Sequence, residues 1–363
     1  MNKRRWIPWL AAILLAVTLV GLDALVRSRD SDGGSRDALL SAMPANASAV
    51  LFIDLAALRR APFAAEFYNW IPKNQVDADY AQFLRATGFD YERDLDRAAI
   101  ANVKAGADSQ LFAVAQGRFD RGRIEAYATQ SGTREARGGR EIFTVPLNEG
   151  ARKISFTFLG KGKIALTDGG NLAPFLAQPQ DGSDLRDWRE HFRREAGSPV
   201  FAVIRQDAAA GSALESRTPG GFQSPQLSAL LDQLQWITLA GKPQDRALRI
   251  VAEGECASEQ TTRQLADLLN GVLVLAQAGL NGPKTRQQLA AGTRDAYLEL
   301  LKGADISRLD RGETKSVRIV FDVTPKLLEA AASATPTPAS VAPAVLPDKA
   351  PGRKRGAQKD AKQ

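Results

Sequence analysis

Four carboxylates at alternate positions, Asp90, Glu92, Asp94 and Asp96 in GFDYERDLD, are the densest group of chemistry-bearing residues in the chain. Oxygens at that spacing can converge on one calcium ion. A calcium loop of the EF-hand type needs glycine at its sixth position and glutamate at its twelfth, and Leu95 and Ala101 stand there instead. Arg93 and Arg97 are interleaved with the acids, so ion pairing in a surface turn is the simpler expectation. The one histidine, His191 in RDWREHFRRE, has Trp188 and Phe192 at helical spacing and arginines around it. That cationic setting disfavours an imidazolium, and the nearest carboxylates along the chain are Glu190 and Glu195, so a general base is not expected there. The single cysteine, Cys256, follows Glu255 at a strand end and reads as a small half-buried side chain, not a reactive thiol. One cysteine and one histidine cannot supply an internal disulfide or a His/Cys zinc site. Gly160-Lys161-Gly162 lacks the later glycines and the helix start that cradle a phosphate. There is no G-x-S-x-G elbow, S-x-x-K, H-E-x-x-H or Walker loop. No catalytic, cofactor-binding or metal-binding residue is therefore assigned, and no cofactor is expected.

The elements that would carry these residues repeat along the chain. Ala49 to Ile53 is a short run of strand formers leading into a helical pattern, Leu55, Leu58, Phe63 and Phe67, that Pro72 ends. A short helix over Tyr80, Phe83 and Leu84 is closed by Gly88. Ile100 to Val103 and Leu111 to Phe119 form a hairpin, Asp120 caps the helix through Ile124 and Tyr127, and Arg140 to Leu147 is a further strand. A second hairpin turns at Gly160-Lys161-Gly162, and a small helix, Asn171 to Ala177, closes the unit. Pro199 to Ile204 then repeats the opening strand, a loop occupies residues 211–225, and a helix follows through Leu227, Leu230, Leu231 and Leu234. Ile237 to Ala240 and Leu248 to Glu253 pair across GKPQDR, and Ser258 caps the next helix with Thr261 at N3. Val317 to Val323 and the helix Leu327 to Ala331 complete the second copy. The expectation is an α+β chain of two related units, residues 44–180 and 198–332, built on antiparallel hairpins. The second carries a helical insertion, residues 261–280 and 283–302, whose leucine-rich face is expected to cover the sheet; a partner-binding or lipid-cavity wall is the alternative.

The ends have a different character from this body. Trp6 to Val26 is apolar except for Asp23 and long enough to span a bilayer, behind Lys3, Arg4 and Arg5. Three cations before the span and Trp6 and Trp9 at its edge place residues 1–29 as a cytoplasmic N-terminus with a single anchor in a bacterial inner membrane, the rest being extracytoplasmic. A cleaved secretory signal has the same layout, but no clean small-x-small site follows the run. Arg4-Arg5 lacks the surroundings of a twin-arginine signal, and no cysteine follows for a lipid anchor. Residues 27–36 have no apolar face and read as a flexible spacer, extended to residues 30–43 as the linker before the fold. From Ser333 the Ala/Pro/Thr-rich, basic tail, residues 333–363, is expected to be disordered. Residues 1–29 and 348–363 each carry a net charge of +4, which leaves a formally +7 chain with a body at −1. A neutral body offers no basic face for a phosphate backbone, so nucleic acid is not the expected partner.

The stretch PANASAVLFIDLAALRRAPF (residues 44–63), with TGFDYERDLD (87–96) and FAVAQGRFD (112–120), resembles a DUF3352-like family of membrane-anchored bacterial proteins of unknown function. The resemblance implies a single-pass exported protein with repeated α+β units and transfers no catalytic residue.

The reading that follows is a membrane-tethered extracytoplasmic module that binds or supports without catalysis. It holds the bilayer through Trp6 to Val26, with an envelope protein or an anionic polymer as the expected further partner. The tail would dock weakly on anionic polymer or headgroups, or simply keep the chain soluble. The alternative from another class is an envelope hydrolase using carboxylates in a cleft between the two units. In intact cells, a Ser340→Cys, Cys256→Ser chain is expected to react with a membrane-impermeant maleimide without lysis. Protection until lysis would reverse the orientation.

Overall fold

The structure, a computed structural model, describes residues 32–64, 78–105, 108–147, 150, 152–176, 183–206 and 233–334. The anchor expected at Trp6 to Val26, the helix end at Pro72, the loop 211–225, the helix residues Leu227, Leu230 and Leu231 and tail residues 335–363 lie outside them, and Leu234, expected in that same helix, opens a strand instead. Among the described residues no helix is long and apolar enough to cross a membrane.

The first departure comes at once, because helix α1 (Asp32–Leu40) occupies most of the expected spacer. Leu39, Leu40 and Met43 are buried, and the core contact they make carries the polar turns before them into a helix. Strand β1 (Ala47–Asp54) follows, and Asp54 caps the short helix α2 (Leu55–Arg59) by accepting from the Ala57 amide at 2.7 Å. Helix α3 (Ala78–Thr87) ends as expected at Gly88, whose φ of +71° suits glycine and whose amide donates to the Leu84 carbonyl. A single turn, α4 (Tyr91–Asp94), opens the hairpin β2 (Leu95–Ala105) and β3 (Asp108–Gly117). Asp120 then caps α5 (Arg121–Ser131) through the Arg123 amide at 3.1 Å. Strand β4 (Thr133–Arg137) was not expected: all five residues are exposed, so no alternation marks it. β5 (Arg140–Leu147), β6 (Arg152–Gly160) and β7 (Lys163–Thr167) lie where the patterning puts them, before α6 (Ala173–Leu176) and α7 (Ser183–Arg194).

The second half opens with β8 (Val200–Arg205) and the long hairpin β9 (Leu234–Gln244) and β10 (Ala247–Cys256). Its ladder runs to Gln244 opposite Ala247, so the turn is Asp245-Arg246 and not the six residues expected; Asp245 takes φ +52° to close it. Ser258 caps α8 (Glu259–Asn281) by accepting from the Thr261 amide. The remainder of the helical insertion is divided into α9 (Pro283–Gln288) and α10 (Ala291–Gly303) rather than one helix. Strand β11 (Asp305–Arg311), unmarked in the sequence, pairs with β12 (Thr314–Val323) ahead of α11 (Pro325–Ala334).

All strands join one antiparallel sheet in the order β11-β12-β10-β9-β8-β1-β2-β3-β7-β6-β5-β4. Read outward from the β1/β8 seam, each half is a three-strand meander followed, after a helix, by a hairpin whose second strand returns to the meander. That is the two-unit α+β pattern, with β4 and β5 added to the first half and α9 and α10 to the second. At the seam Phe52 stands opposite Phe201, with ring centroids 5.3 Å apart. One face of the sheet is covered there by α1 and α7, whose Leu39, Trp188 and Phe192 complete the largest core cluster. The other face carries α5 over Ala98, Phe143 and Ile164, and the first turns of α8 over Leu234, Cys256 and Val317. Contrary to the expected broad cover, α8 is fully buried only at Thr261, Thr262, Leu265 and Ala266.

Glu253 on β10 is buried and ties three strands together on the α7 face. It accepts from both terminal nitrogens of Arg311, from Arg318 Nη2 at 3.0 Å and from Ser316 Oγ at 2.8 Å. Burial alone would raise its pKa, but the hydrogen bonds from Arg311 and Ser316 outweigh it and hold the carboxyl down at about 2. A depressed folded-state value stabilises the fold above the unfolded value of 4.5 and loses that stabilisation as pH falls toward 2. With the arginines about one-third exposed, the contribution is on the order of 2 kcal/mol. Unfolding free energies of the wild type and Glu253→Gln should therefore differ at neutral pH and converge between pH 4.5 and 2. A constant gap across that range would sink the assignment.

Candidate functional site

The sheet of the first half is wider than the helix that covers it. Alternate positions of β3, β5, β6 and β7 point Ala115, Val145, Ile154, Phe156, Ile164 and Leu166 to the α5 face. Helix α5 closes part of this floor with Ile124 and Ala128, both buried. Beyond it, Tyr80 and Phe83 of α3 and the loop residues Phe89 and Phe119 form a roof without filling the space. The result is an apolar pocket of about 420 Å³. Ala115 leaves room at its floor that any larger side chain would take.

Aromatic rings brace the roof against the floor. Phe83 meets Tyr127 edge-on at 5.5 Å, Phe89 stacks on Phe119 at 5.1 Å, and Phe119 reaches Phe158 at 6.5 Å. Tyr80 packs against Tyr91 at 5.1 Å, and its hydroxyl accepts from the Tyr91 amide at 3.3 Å. Burial pushes the Tyr80 phenol above its ordinary pKa and that of Tyr91 to about 12, so both stay neutral. Asp79 and Arg152 are the charged residues on the lining. Near Arg152, burial raises the Asp168 pKa, opposed in part by the Leu111 amide and by the Arg152 charge. Chemically, the site offers hydrocarbon contact inside and charge only where Asp79 and Arg152 stand.

The acidic cluster helps hold the pocket's loop in place. Asp90 caps α4 through the Glu92 amide, and Asp94 accepts from the Asp90 amide and pairs with Arg93 and Arg118. Burial works against the Asp94 charge, but Arg93 and the Asp90 amide outweigh it and lower its pKa. Of the expected pairing, Arg93 meets Asp94 within the turn, while Asp96 bonds to Arg59 at 2.9 Å and Arg97 to Asp54 at 2.8 Å, partners that come from outside it. Gly160-Lys161-Gly162 is the β6–β7 turn: Gly162 has φ +73°, and a Cβ there would lie 2.9 Å from the Gly117 carbonyl. Cys256 is buried between β10 and α8, and burial pushes its thiol pKa up.

His191 requires a correction. Its partner is neither Glu190 nor Glu195 but Glu255, brought from β10 to 3.1 Å of Nε2, while Nδ1 meets the Asp187 carbonyl at 2.8 Å. The ring stacks on Trp236 at 4.2 Å, and Arg194 pairs with the same Glu255. Burial opposes the Glu255 charge, and His191 and Arg194 nonetheless hold its pKa below the usual range. Nearby Glu195 is raised instead, by burial first and by Glu253 second. No sequence spacing links His191 to Glu255; only the docking of α7 on β9 and β10 does. The pocket was missed for a related reason, since its lining comes from many separated segments whose residues, Asp79 and Arg152 apart, look like ordinary core.

No family model matches the chain, and no curated protein matches it. Among solved structures, the chain is similar to crystal form III of TP0453, with a TM-score of 0.44 and 10% identity over 81% of this chain and 98% of that one. Crystal form IV of the same protein gives a TM-score of 0.43 and 10% identity over 84% of this chain and all of that one.

Proposed function

We propose that the protein is a membrane-tethered, extracytoplasmic binding module that takes the hydrocarbon part of an amphiphile into the pocket beneath α3 and α5. The observation that carries this reading is an open volume of about 420 Å³ with apolar and aromatic walls beside the α5 core cluster. Pockets of this size suit small ligands. Apart from the Tyr80 and Tyr127 hydroxyls, a wall of this composition offers a ligand's interior portion little to hydrogen-bond with, and a polar group left unsatisfied there costs several kcal/mol, roughly 2–7. Each methylene that leaves water contributes about 0.8 kcal/mol, so a chain is held by its length. A polar head fits near Arg152 and Asp79, where charge is available.

Tethering supports the same reading from the sequence. An anchor at Trp6 to Val26 would keep the pocket within reach of the bilayer that supplies amphiphiles. Catalysis is not needed: Glu253 and Glu255, the paired carboxylates of the second half, are both occupied by cations and serve packing.

The full chain in mild detergent should take up cis-parinaric acid with enhanced fluorescence. Ala115→Phe, which fills the floor, should abolish most of that uptake while keeping the wild-type melting temperature within a few degrees. Absence of uptake by the wild type, or equal uptake by a folded Ala115→Phe chain, would sink the proposal.

A further inference from the structure

Helix α8 changes character along its length. Its exposed stripe begins with Arg263, Gln264 and Asp267 and continues through Gly271, Val274, Leu275 and Ala278. Val274 is 63% and Leu275 66% exposed, the two most exposed large hydrophobic residues among those described. They lie one helical turn or more beyond Ala266, the last buried residue, where the helix has run past the sheet. The opposite side of this segment is satisfied: Val272, Leu273 and Ala276 are half-buried, and Gln277 donates to the Leu301 carbonyl of α10 at 2.9 Å. Sharing two apolar sides, with one covered and one bare, is not what a helix facing only water selects.

Charge distinguishes the occupants of the bare side. Between Asp267 and Asp295 the sequence contains no acidic residue, and Lys284 and Arg286 are basic, while Arg294 pairs with Asp295. Arg286 is exposed on α9, directly after the apolar segment. An apolar helix segment followed by Lys284 and Arg286, with no acid between Asp267 and them, is complementary to an anionic lipid surface, where apolar side chains enter the acyl boundary and cations meet phosphates. A second copy of the same tip would set cations against cations.

We propose that the C-terminal part of α8, with α9, docks on an anionic bilayer surface, Val274 and Leu275 entering the interface and Arg286 facing the headgroups. This contact is independent of the pocket and of what the pocket binds. It would give a tethered chain a second, local attachment and hold the body in one orientation on the membrane.

The test uses the full chain with Cys256→Ser and a nitrobenzoxadiazole label at Leu275→Cys, reconstituted in vesicles containing brominated lipid. A label at Glu313→Cys, in the β11–β12 turn, is the control. In phosphatidylglycerol vesicles the label at 275 should be quenched at least about twofold more than that at 313, and Arg286→Glu or about 0.5 M salt should reduce the difference. Equal quenching at the two sites would overturn the proposal. So would quenching in pure phosphatidylcholine as strong as in phosphatidylglycerol, which would remove the anionic requirement. A blue shift that grows with protein concentration in lipid-free detergent would assign the face to a second copy instead.

Discussion

The fold depends on one antiparallel seam. β1 and β8 pair from Ala49 opposite Ile204 to Ile53 opposite Val200, the Asp54 amide donates to the Pro199 carbonyl beyond that ladder, and together they join the two halves, among the described residues, into a twelve-stranded sheet. An exposed edge at either strand would leave unpaired amides and carbonyls along an apolar run, the arrangement most prone to wrong pairing. Pairing the two opening strands removes both edges at once. Phe52 and Phe201 meet at the centre, Phe192 approaches from α7, and the Arg36 guanidinium lies 4.9 Å from the Phe201 ring. The N-terminal helix is thereby locked to the seam from outside, through aromatic contact and the Arg36 bond to the Phe192 carbonyl.

The same meander serves different ends on the two sides of that seam. In the first half, β4 and β5 widen the sheet and α5 packs against them, while apolar floor on β3, β6 and β7 that the helix leaves open becomes the pocket. In the second half the added residues form α9 and α10 instead of strands, so the sheet stays narrower while α8 runs past it. Charge fastens this half: Glu253 stitches the outer strands through Arg311 and Arg318, and Glu255 ties β10 to α7 through His191 and Arg194. Such buried pairs cost desolvation and return it only when geometry is complete, so they act as a register lock more than as a source of net stability. An apolar slot in one half and a charge-locked platform in the other are two solutions to the same problem of what to lay on a half-covered sheet.

Local signals proved legible where their cause is local. Asp120 before α5, Ser258 before α8 and Gly88 after α3 each satisfy a helix end within a few residues, and the structure places all three. The Asp94 pair with Arg93 follows from the interleaved arginine, whereas Asp96 meets Arg59, 37 residues away, which no local signal marks. Failures occur where a distant contact decides. The spacer became α1 because Leu39 and Leu40 meet the seam, and β4 and β11, polar strands at the two sheet edges, exist because β5 and β12 offer a ladder to pair with.

What the sequence determined by itself is the kind of chain and its repeated order: strand meander, helix, returning hairpin, twice, with apolar alternation strong enough to choose which face is buried. Those are consequences of periodicity and capping, which act over a few residues. Tertiary structure alone decided that the two units share one sheet, that His191 answers to Glu255, and that α8 leaves Val274 and Leu275 bare. It also decided that an alanine on one strand and rings from two loops enclose a pocket. Whether an apolar side chain becomes core, pocket wall or exposed face depends on what the rest of the chain lays over it, and that coverage is a property of the assembled sheet, not of any short stretch of residues.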